Sequence, residues 1–126
     1  MRYLHVFLFI GSSCDPGPLE PRVAEVVPQE LLSDVDAGLE DALMLWSNER
    51  YSEAQSAVEG TYLEAFEPME TLLRHHDWDQ CVRLEYSFGR LSWNMRRPGD
   101  PEDISQEVAA LRSSLSEAVN ALQPSP

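Results

Sequence analysis

Apolar residues recur at steps of three and four along most of this chain, and this spacing constrains the fold more than any other feature. Such spacing places side chains on one face of an α-helix, whereas a half-buried strand alternates apolar and polar residues. No stretch of the sequence alternates in that way. The sequence therefore predicts an all-α protein, an antiparallel up-down four-helix bundle. The predicted helices cover about residues 29–47, 53–76, 78–97 and 102–122.

Polar residues and a proline mark the ends and one interior point of these helices. Ser52 and Gln55 have the spacing of a capping box, and Asp77 and Asp100 stand where N-caps are expected. Pro68 falls inside the second helix, where it removes a backbone hydrogen bond and crowds the preceding turn. We therefore expect a kink at Pro68.

The third helix has apolar residues on two faces. One face comprises Cys81, Leu84, Phe88, Leu91 and Met95, and the other comprises Val82, Tyr86, Gly89 and Trp93. A helix that is apolar on most of its circumference is expected to be central, with neighbours on both sides. The alternative is that the second face contacts another protein, which makes Tyr86 and Trp93 candidate interaction residues.

Residues 1–14 are typical of a secretory signal peptide. Arg2 precedes an apolar run at 3–10 that is too short to cross a bilayer as a stable helix. The small residues that lead into Cys14 resemble the lipobox of bacterial lipoproteins, which implies that Cys14 is acylated. The alternatives are ordinary secretion with cleavage, and a misassigned start or an uncleaved segment. The favoured interpretation is an extracytoplasmic, periplasmic protein that reaches the membrane only through an N-terminal lipid anchor.

The segments around the helices are predicted to be irregular. Residues 15–28 contain Pro16, Pro18, Pro21 and Pro28, a density that suits a linker and not a helix or strand. The folded domain is then expected at 29–122, followed by a disordered tail at 123–126.

The charge balance excludes one large class of function. The chain has 9 Lys+Arg, all of them Arg, against 22 Asp+Glu, which gives a net charge of −13. A surface this acidic repels nucleic-acid phosphates but leaves metal cations as possible ligands. The sequence has no glycine-rich phosphate loop, no Cys-x-x-Cys pair and no nucleophile elbow, so we do not expect an enzyme.

Glu85 is the acidic residue that most needs an explanation, because it lies between the two apolar faces of the third helix. A carboxylate removed from water requires a cation or several hydrogen bonds. That cation is either a metal ion held jointly with Glu67 or Glu70 of the second helix, or an arginine, Arg50 or Arg74. Iron or another divalent cation is the metal that such carboxylates suit.

The middle of the chain carries the pattern Tyr62-x-x-x-Phe66-Glu67-x-x-Glu70, with Glu85 three residues before Phe88. With this pattern, about residues 38–122 resemble the extracytoplasmic helical region attached to some bacterial high-affinity iron permeases. This resemblance implies a periplasmic accessory domain of iron uptake, with Glu67, Glu70 and Glu85 as metal-binding positions. The partner it implies is an iron permease or another envelope protein. The Arg-Glu-x-x-Glu motif of the permease itself is absent, so transport is not implied.

A protein-interaction module is the alternative function. Ala42, Tyr51 and Ala54 have the spacing that tetratricopeptide repeats use around their helical turn, and Trp78 with Cys81 repeats part of it 27 residues later. True repeats recur at about 34 residues and need several copies. A di-iron enzyme would need Glu-x-x-His pairs, and no glutamate here is followed by histidine at that spacing.

Overall fold

A computed structural model describes residues 26–122, and all secondary structure in this range is helical. The prediction of an all-α bundle is therefore confirmed for these residues. The predicted signal peptide with Cys14, all but the end of the predicted linker, and the tail at 123–126 lie outside the described residues. Within 26–122 no helix combines the length and apolar character needed to cross a membrane.

Four helical segments make up the bundle. The first is α1 (Pro28–Ser47), the third is α4 (Trp78–Asn94) and the fourth is α5 (Pro101–Ala121). The second segment, residues 51–76, is composite. It consists of α2 (Tyr51–Thr61), a π-helical turn (Tyr62–Phe66), a 3-10 turn (Glu67–Met69) and α3 (Glu70–His76).

The core lies on the axis of these four segments. Helix α1 contacts α2 and α5, and α4 contacts α2, α3 and α5, so each segment has two main neighbours. The apolar stripes predicted from the sequence meet inside this ring. The largest fully buried side chains are Phe66, Phe88, Leu39, Met69, Leu91, Met95 and Leu115. Among the described residues, every buried side-chain nitrogen and oxygen has a hydrogen-bond partner.

Two of the predicted helix caps are present and one is not. The Asp77 carboxylate accepts from the Gln80 N–H at 3.1 Å, and the Asp100 carboxylate accepts from the Glu102 N–H at 2.9 Å. The capping box predicted at Ser52 is wrong, because α2 already begins at Tyr51 and has no side-chain cap. The loop before α2 is so short that Ser52 falls inside the first turn.

Pro68 disturbs the second segment as expected, but over two turns. Because a proline in a regular helix cannot donate to the carbonyl four residues earlier, the backbone widens into the π turn and then tightens into the 3-10 turn. The change alters which residues face the core. An uninterrupted helical period through Ala54 and Val58 predicts Leu72 at the centre of the apolar stripe and Leu73 at its margin, but Leu73 is buried and Leu72 is 43% exposed.

The prediction that the third helix is enclosed on both sides is wrong. Val82, Tyr86 and Trp93 are 44%, 66% and 52% exposed, while the face with Cys81 is buried. The reason is the ring arrangement, in which α4 has neighbours on one half of its surface only. The second apolar face of α4 is therefore a surface feature of the described domain.

Candidate metal centre and the adjacent groove

Glu70, Cys81 and Glu85 form a group of potential metal ligands between α3 and α4. Each offers one ligand atom, and these atoms all lie within 4.8 Å of one another. Glu70 comes from the first turn of α3, while Cys81 and Glu85 stand four residues apart on one face of α4. The Cys81 side chain is buried, and the Glu70 and Glu85 side chains are 12% and 31% exposed.

Arg74 joins the two carboxylates of this group. One of its guanidinium nitrogens lies 3.4 Å from a carboxylate oxygen of Glu70 and 3.4 Å from one of Glu85. The same guanidinium stands over the Trp78 ring, 5.3 Å from its centroid. Of the two arginines considered from the sequence, Arg74 is the partner of Glu85, while Arg50 pairs with Glu53.

Tyr62 closes the group on the side of the π turn. Its hydroxyl donates to a carboxylate oxygen of Glu70 at 3.4 Å. Its ring packs against Phe66 and Phe88, with centroids 5.3 and 5.5 Å away. Burial, and next the negative charge of Glu85, raise the pKa of Tyr62 above its ordinary value. Tyr62 is thus a neutral hydrogen-bond donor that orients Glu70.

Cys81 contributes a neutral thiol to the group. Its sulfur lies 3.9 Å from the Glu70 carbonyl oxygen, to which it donates a weak hydrogen bond. Burial raises the pKa of Cys81, and the nearby Arg74 charge opposes part of that rise. A metal ion at this site would displace the thiol proton, since the thiolate is the ligand form.

The structure brings together two of the three metal ligands predicted from the sequence. Glu70 and Glu85 meet, but Glu67 lies in the 3-10 turn, is exposed, and is outside the group. The sequence places Cys81 on the apolar face of the third helix and gives it no role as a ligand. Its spacing of four from Glu85 on the same helix is the signal that places it beside that carboxylate.

A groove lies next to this group, between the 51–76 segment and α4. It encloses about 460 Å³, with Val58, Tyr62 and Leu63 on one wall and Phe88, Gly89 and Trp93 on the other. Glu85 stands within the lining, so the groove and the ligand group share this residue. The ligand group and the groove therefore lie side by side on one face of the described domain.

Polar groups of the groove are held in place by neighbours. Glu59 accepts hydrogen bonds from the Ser92 hydroxyl at 3.2 Å and from the Gln55 amide at 3.4 Å. Next to the groove, the guanidiniums of Arg96 and Arg97 stand over the Trp93 ring, 4.3 and 5.4 Å from its centroid. Trp93 is thereby fixed in an exposed position.

Comparison of the chain with protein-family models, with curated proteins and with solved structures finds no match. Residues 26–122 therefore form a helical bundle, and Glu70, Cys81 and Glu85 are the group of side chains found in this range that could hold a metal ion.

Proposed function

We propose that this chain is a non-catalytic accessory domain that binds a divalent metal cation through Glu70, Cys81 and Glu85. The observation that supports it is the convergence of three ligand atoms from two helical segments within 4.8 Å. Two carboxylates and one thiolate are a donor set that suits zinc or ferrous iron. The resemblance to iron-permease domains favours iron among these cations.

In the metal-free state of the protein, Arg74 supplies the positive charge that balances Glu70 and Glu85. It neutralises the two carboxylates when no metal ion is bound and leaves when one arrives. Its side chain is 42% exposed and already lies over the Trp78 ring, so it moves into water without becoming a buried unpaired charge. Binding is thus an exchange of an arginine for a dication.

The proposed location of this domain is the periplasm, held at the membrane by a lipid on Cys14. The lipoprotein-like run that ends at Cys14 supports this placement. The partner proposed from the resemblance is an iron permease or another envelope protein. The net charge of −13 favours cationic partners and disfavours nucleic acid.

We also infer that the bundle has the antiparallel up-down topology. From the start of α1 to its end, the residue numbers of its hydrogen-bond partners decrease. Gln29 bonds to Asn120 (3.3 Å), Asp36 bonds to Arg112 (3.1 Å), and the Trp46 indole bonds to the Arg97 carbonyl (3.0 Å). The same descent relates the second segment to α4, from Glu59 with Ser92 to Arg74 with Glu85. Short connections support an up-down order.

Calorimetric titration of the full chain with ferrous iron without oxygen, with manganese and with zinc tests the metal proposal. A Cys14→Ser background removes the other thiol. We expect saturable binding that weakens at least about tenfold in Glu85→Gln and in Cys81→Ser, since each removes one ligand. Glu67→Gln is the matched control and keeps the affinity of the parent. Equal binding by Glu85→Gln, or none tighter than about millimolar, contradicts the proposal.

A second candidate function is that of a helical protein-interaction module, as the tetratricopeptide-like spacing suggests. The observation in its favour is the exposed pair Tyr86 and Trp93 on α4. Ala42 and Ala54 are fully buried, as expected for close helical-hairpin packing. Trp93→Glu is then expected to keep the circular-dichroism spectrum and unfolding midpoint while it abolishes partner binding. A large loss of stability would instead place Trp93 in the core.

A further inference from the structure

The exposed apolar face of α4 continues the groove into a strip as long as a short helix. Val82, Tyr86, Gly89 and Trp93 follow one another at steps of four, three and four, which is the spacing of a helix-packing seam. Gly89 and Trp93 line the groove, and Val82 and Tyr86 extend it along the helix. From residue 82 to residue 93 the strip is about 16 Å long at 1.5 Å per residue.

Gly89 has no explanation within the described residues. A Cβ added at Gly89 would meet no atom within 4 Å, whereas one at Gly38 would lie 2.0 Å from the Thr61 hydroxyl oxygen. Gly38 therefore permits the close approach of α1 and α2, but no contact within residues 26–122 requires a glycine at 89. Glycine inside a helix is unfavourable relative to alanine. Its effect here is to lower the floor of the groove beside Phe88 and Trp93.

Glu59 gives the groove a negative charge that no arginine of the described residues neutralises. Its carboxylate is held by Ser92 and Gln55, and no arginine among residues 26–122 pairs with it. Glu85 is already bridged by Arg74, and Arg96 and Arg97 stack on Trp93. The position in the groove that best accepts an external cation is therefore beside Glu59.

We infer that this groove binds an amphipathic helix of a partner protein, about three turns long and basic on its flanks. Its apolar face would lie on the strip, its backbone would approach Gly89, and one of its basic side chains would pair with Glu59. The length of the strip favours a helix over a compact small molecule. A second copy of this chain is disfavoured, because two chains of charge −13 repel each other. This inference rests on the interaction function proposed above.

Selection from a displayed library of three-turn helical peptides of unbiased charge, with the immobilised full chain as bait, tests the inference. We expect the enriched peptides to be basic and to have apolar residues at helical spacing. Fluorescence anisotropy then measures their affinity for three variants. Gly89→Ala and Glu59→Gln weaken binding about tenfold or more, since one fills the groove and the other removes its charge.

Gly60→Ala is the matched control, because a Cβ at Gly60 also meets nothing within 4 Å but Gly60 is not in this groove. Both glycine variants raise the unfolding temperature, and only Gly89→Ala weakens peptide binding. If peptides bind, but Gly89→Ala and Gly60→Ala bind them equally well, the assignment of the peptide site to this groove is wrong, while the proposed interaction function is still supported. If no peptide binds tighter than about 100 µM, both fail. Enrichment of acidic peptides would contradict the assigned partner. So would a dimer of this chain that forms in the parent and is lost in Gly89→Ala.

Discussion

A cation at Glu70 and Glu85 must compete with Arg74, whose guanidinium lies 3.4 Å from a carboxylate oxygen of each. Two carboxylates this close repel each other unless a positive charge stands between them. Arg74 and a metal ion are thus alternative solutions to the same electrostatic problem. The two roles of Arg74 predict different effects on the metal affinity when Arg74 is removed. The affinity rises if Arg74 competes with the metal ion, and it does not rise if Arg74 only stabilises the structure.

Arg74→Gln is expected to raise the affinity for ferrous iron or zinc about tenfold, the order expected for a unit charge a few ångströms away in a partly hydrated site. Titration calorimetry against the parent measures the change. Arg83→Gln removes the same charge from an exposed position on α4 and is expected to leave the affinity unchanged. An affinity that falls in Arg74→Gln would mean that Arg74 organises the site and does not compete for it.

The buried thiol of Cys81 predicts a pH dependence of stability in metal-free buffer. Burial raises its pKa above the ordinary value of 9.0, so the folded state holds the proton more tightly than the unfolded state. The protonated thiol therefore contributes to the free energy of unfolding. This contribution is complete below pH 9 and is lost as the pH rises toward the folded-state pKa of Cys81. Cys81→Ala is expected to cost about 1 kcal/mol at pH 7 through the cavity it leaves.

Urea unfolding of the parent and of Cys81→Ala at pH 7, 8 and 10 checks this sign. The advantage of the parent is expected to be equal at pH 7 and pH 8 and smaller at pH 10. Both proteins carry Tyr62→Phe, because the charge of Cys81 also raises the pKa of Tyr62, and Cys14 is present in both, so its titration cancels in the difference. An advantage that grows above pH 9 would contradict a thiol kept neutral by burial.

At the scale of the elements, the turn between α1 and α2 contains the one described non-glycine residue with a positive φ. Glu49 has φ 65°, while its N–H bonds to the Trp46 carbonyl and the Arg50 N–H bonds to the Leu45 carbonyl. This is the Schellman arrangement, in which the residue at Glu49 is normally glycine. The short α1–α2 connection therefore uses a strained residue.

Glu49→Gly is expected to stabilise the domain by about 1 kcal/mol, because it relieves the left-handed strain at this position. The free energy of unfolding in urea measures it. Asn48→Gly is the control, since Asn48 has a negative φ and its amide bonds to the Met44 carbonyl. Asn48→Gly is expected to give no gain. Equal gains in both variants would show that the gain does not come from the left-handed conformation at Glu49.

The crossing of α1 and α2 depends on Gly38. A Cβ there would lie 2.0 Å from the Thr61 hydroxyl oxygen and 3.1 Å from Thr61 Cβ, and that hydroxyl is held by a 2.8 Å bond to the Ala57 carbonyl. Gly38→Ala is expected to destabilise the domain by about 1–3 kcal/mol despite the better helix propensity of alanine. Thermal unfolding of Gly38→Ala and of Gly38→Ala/Thr61→Ala tests it, and the second substitution should recover part of the loss.

The second segment shows what helical periodicity predicts and what it misses. Its stripe through Ala54 and Val58 is correct, because α2 is regular there. Beyond Pro68 the same period places Leu72 at the centre of the stripe and Leu73 at its margin, whereas Leu73 is buried and Leu72 is 43% exposed. A period of 3.6 residues assumes one backbone geometry, and the π and 3-10 turns around Pro68 change that geometry locally.

At the scale of the whole molecule, the sequence predicts the number of helical segments but not which surfaces they cover. The second apolar face of α4 is correctly recognised as apolar, yet Tyr86 and Trp93 are exposed because no described element lies over them. The site follows the same rule. Glu70 and Glu85 were predicted from the motif, while only the packing of α3 against α4 adds Cys81 and leaves Glu67 out.

The net charge of the chain complicates any test of metal binding. Because the net charge is −13, we expect the unfolding temperature to rise with ionic strength, since salt screens the repulsion among the carboxylates. Divalent cations do this more strongly than sodium at any acidic surface. A thermal shift produced by iron or zinc is therefore informative only relative to magnesium, a hard ion that suits carboxylates but not a thiolate.

We expect zinc, and ferrous iron without oxygen, to raise the unfolding temperature beyond magnesium at equal ionic strength. At a hundredfold excess over Kd, specific binding adds about 2.7 kcal/mol, because only the folded chain holds Glu70, Cys81 and Glu85 together. For a domain of this size that corresponds to a rise of about 10 °C in scanning calorimetry. Glu85→Gln is expected to keep the magnesium shift and lose the additional one. If magnesium matches zinc in the parent, the cations act on the acidic surface as a whole and the group is an ion-pair network around Arg74.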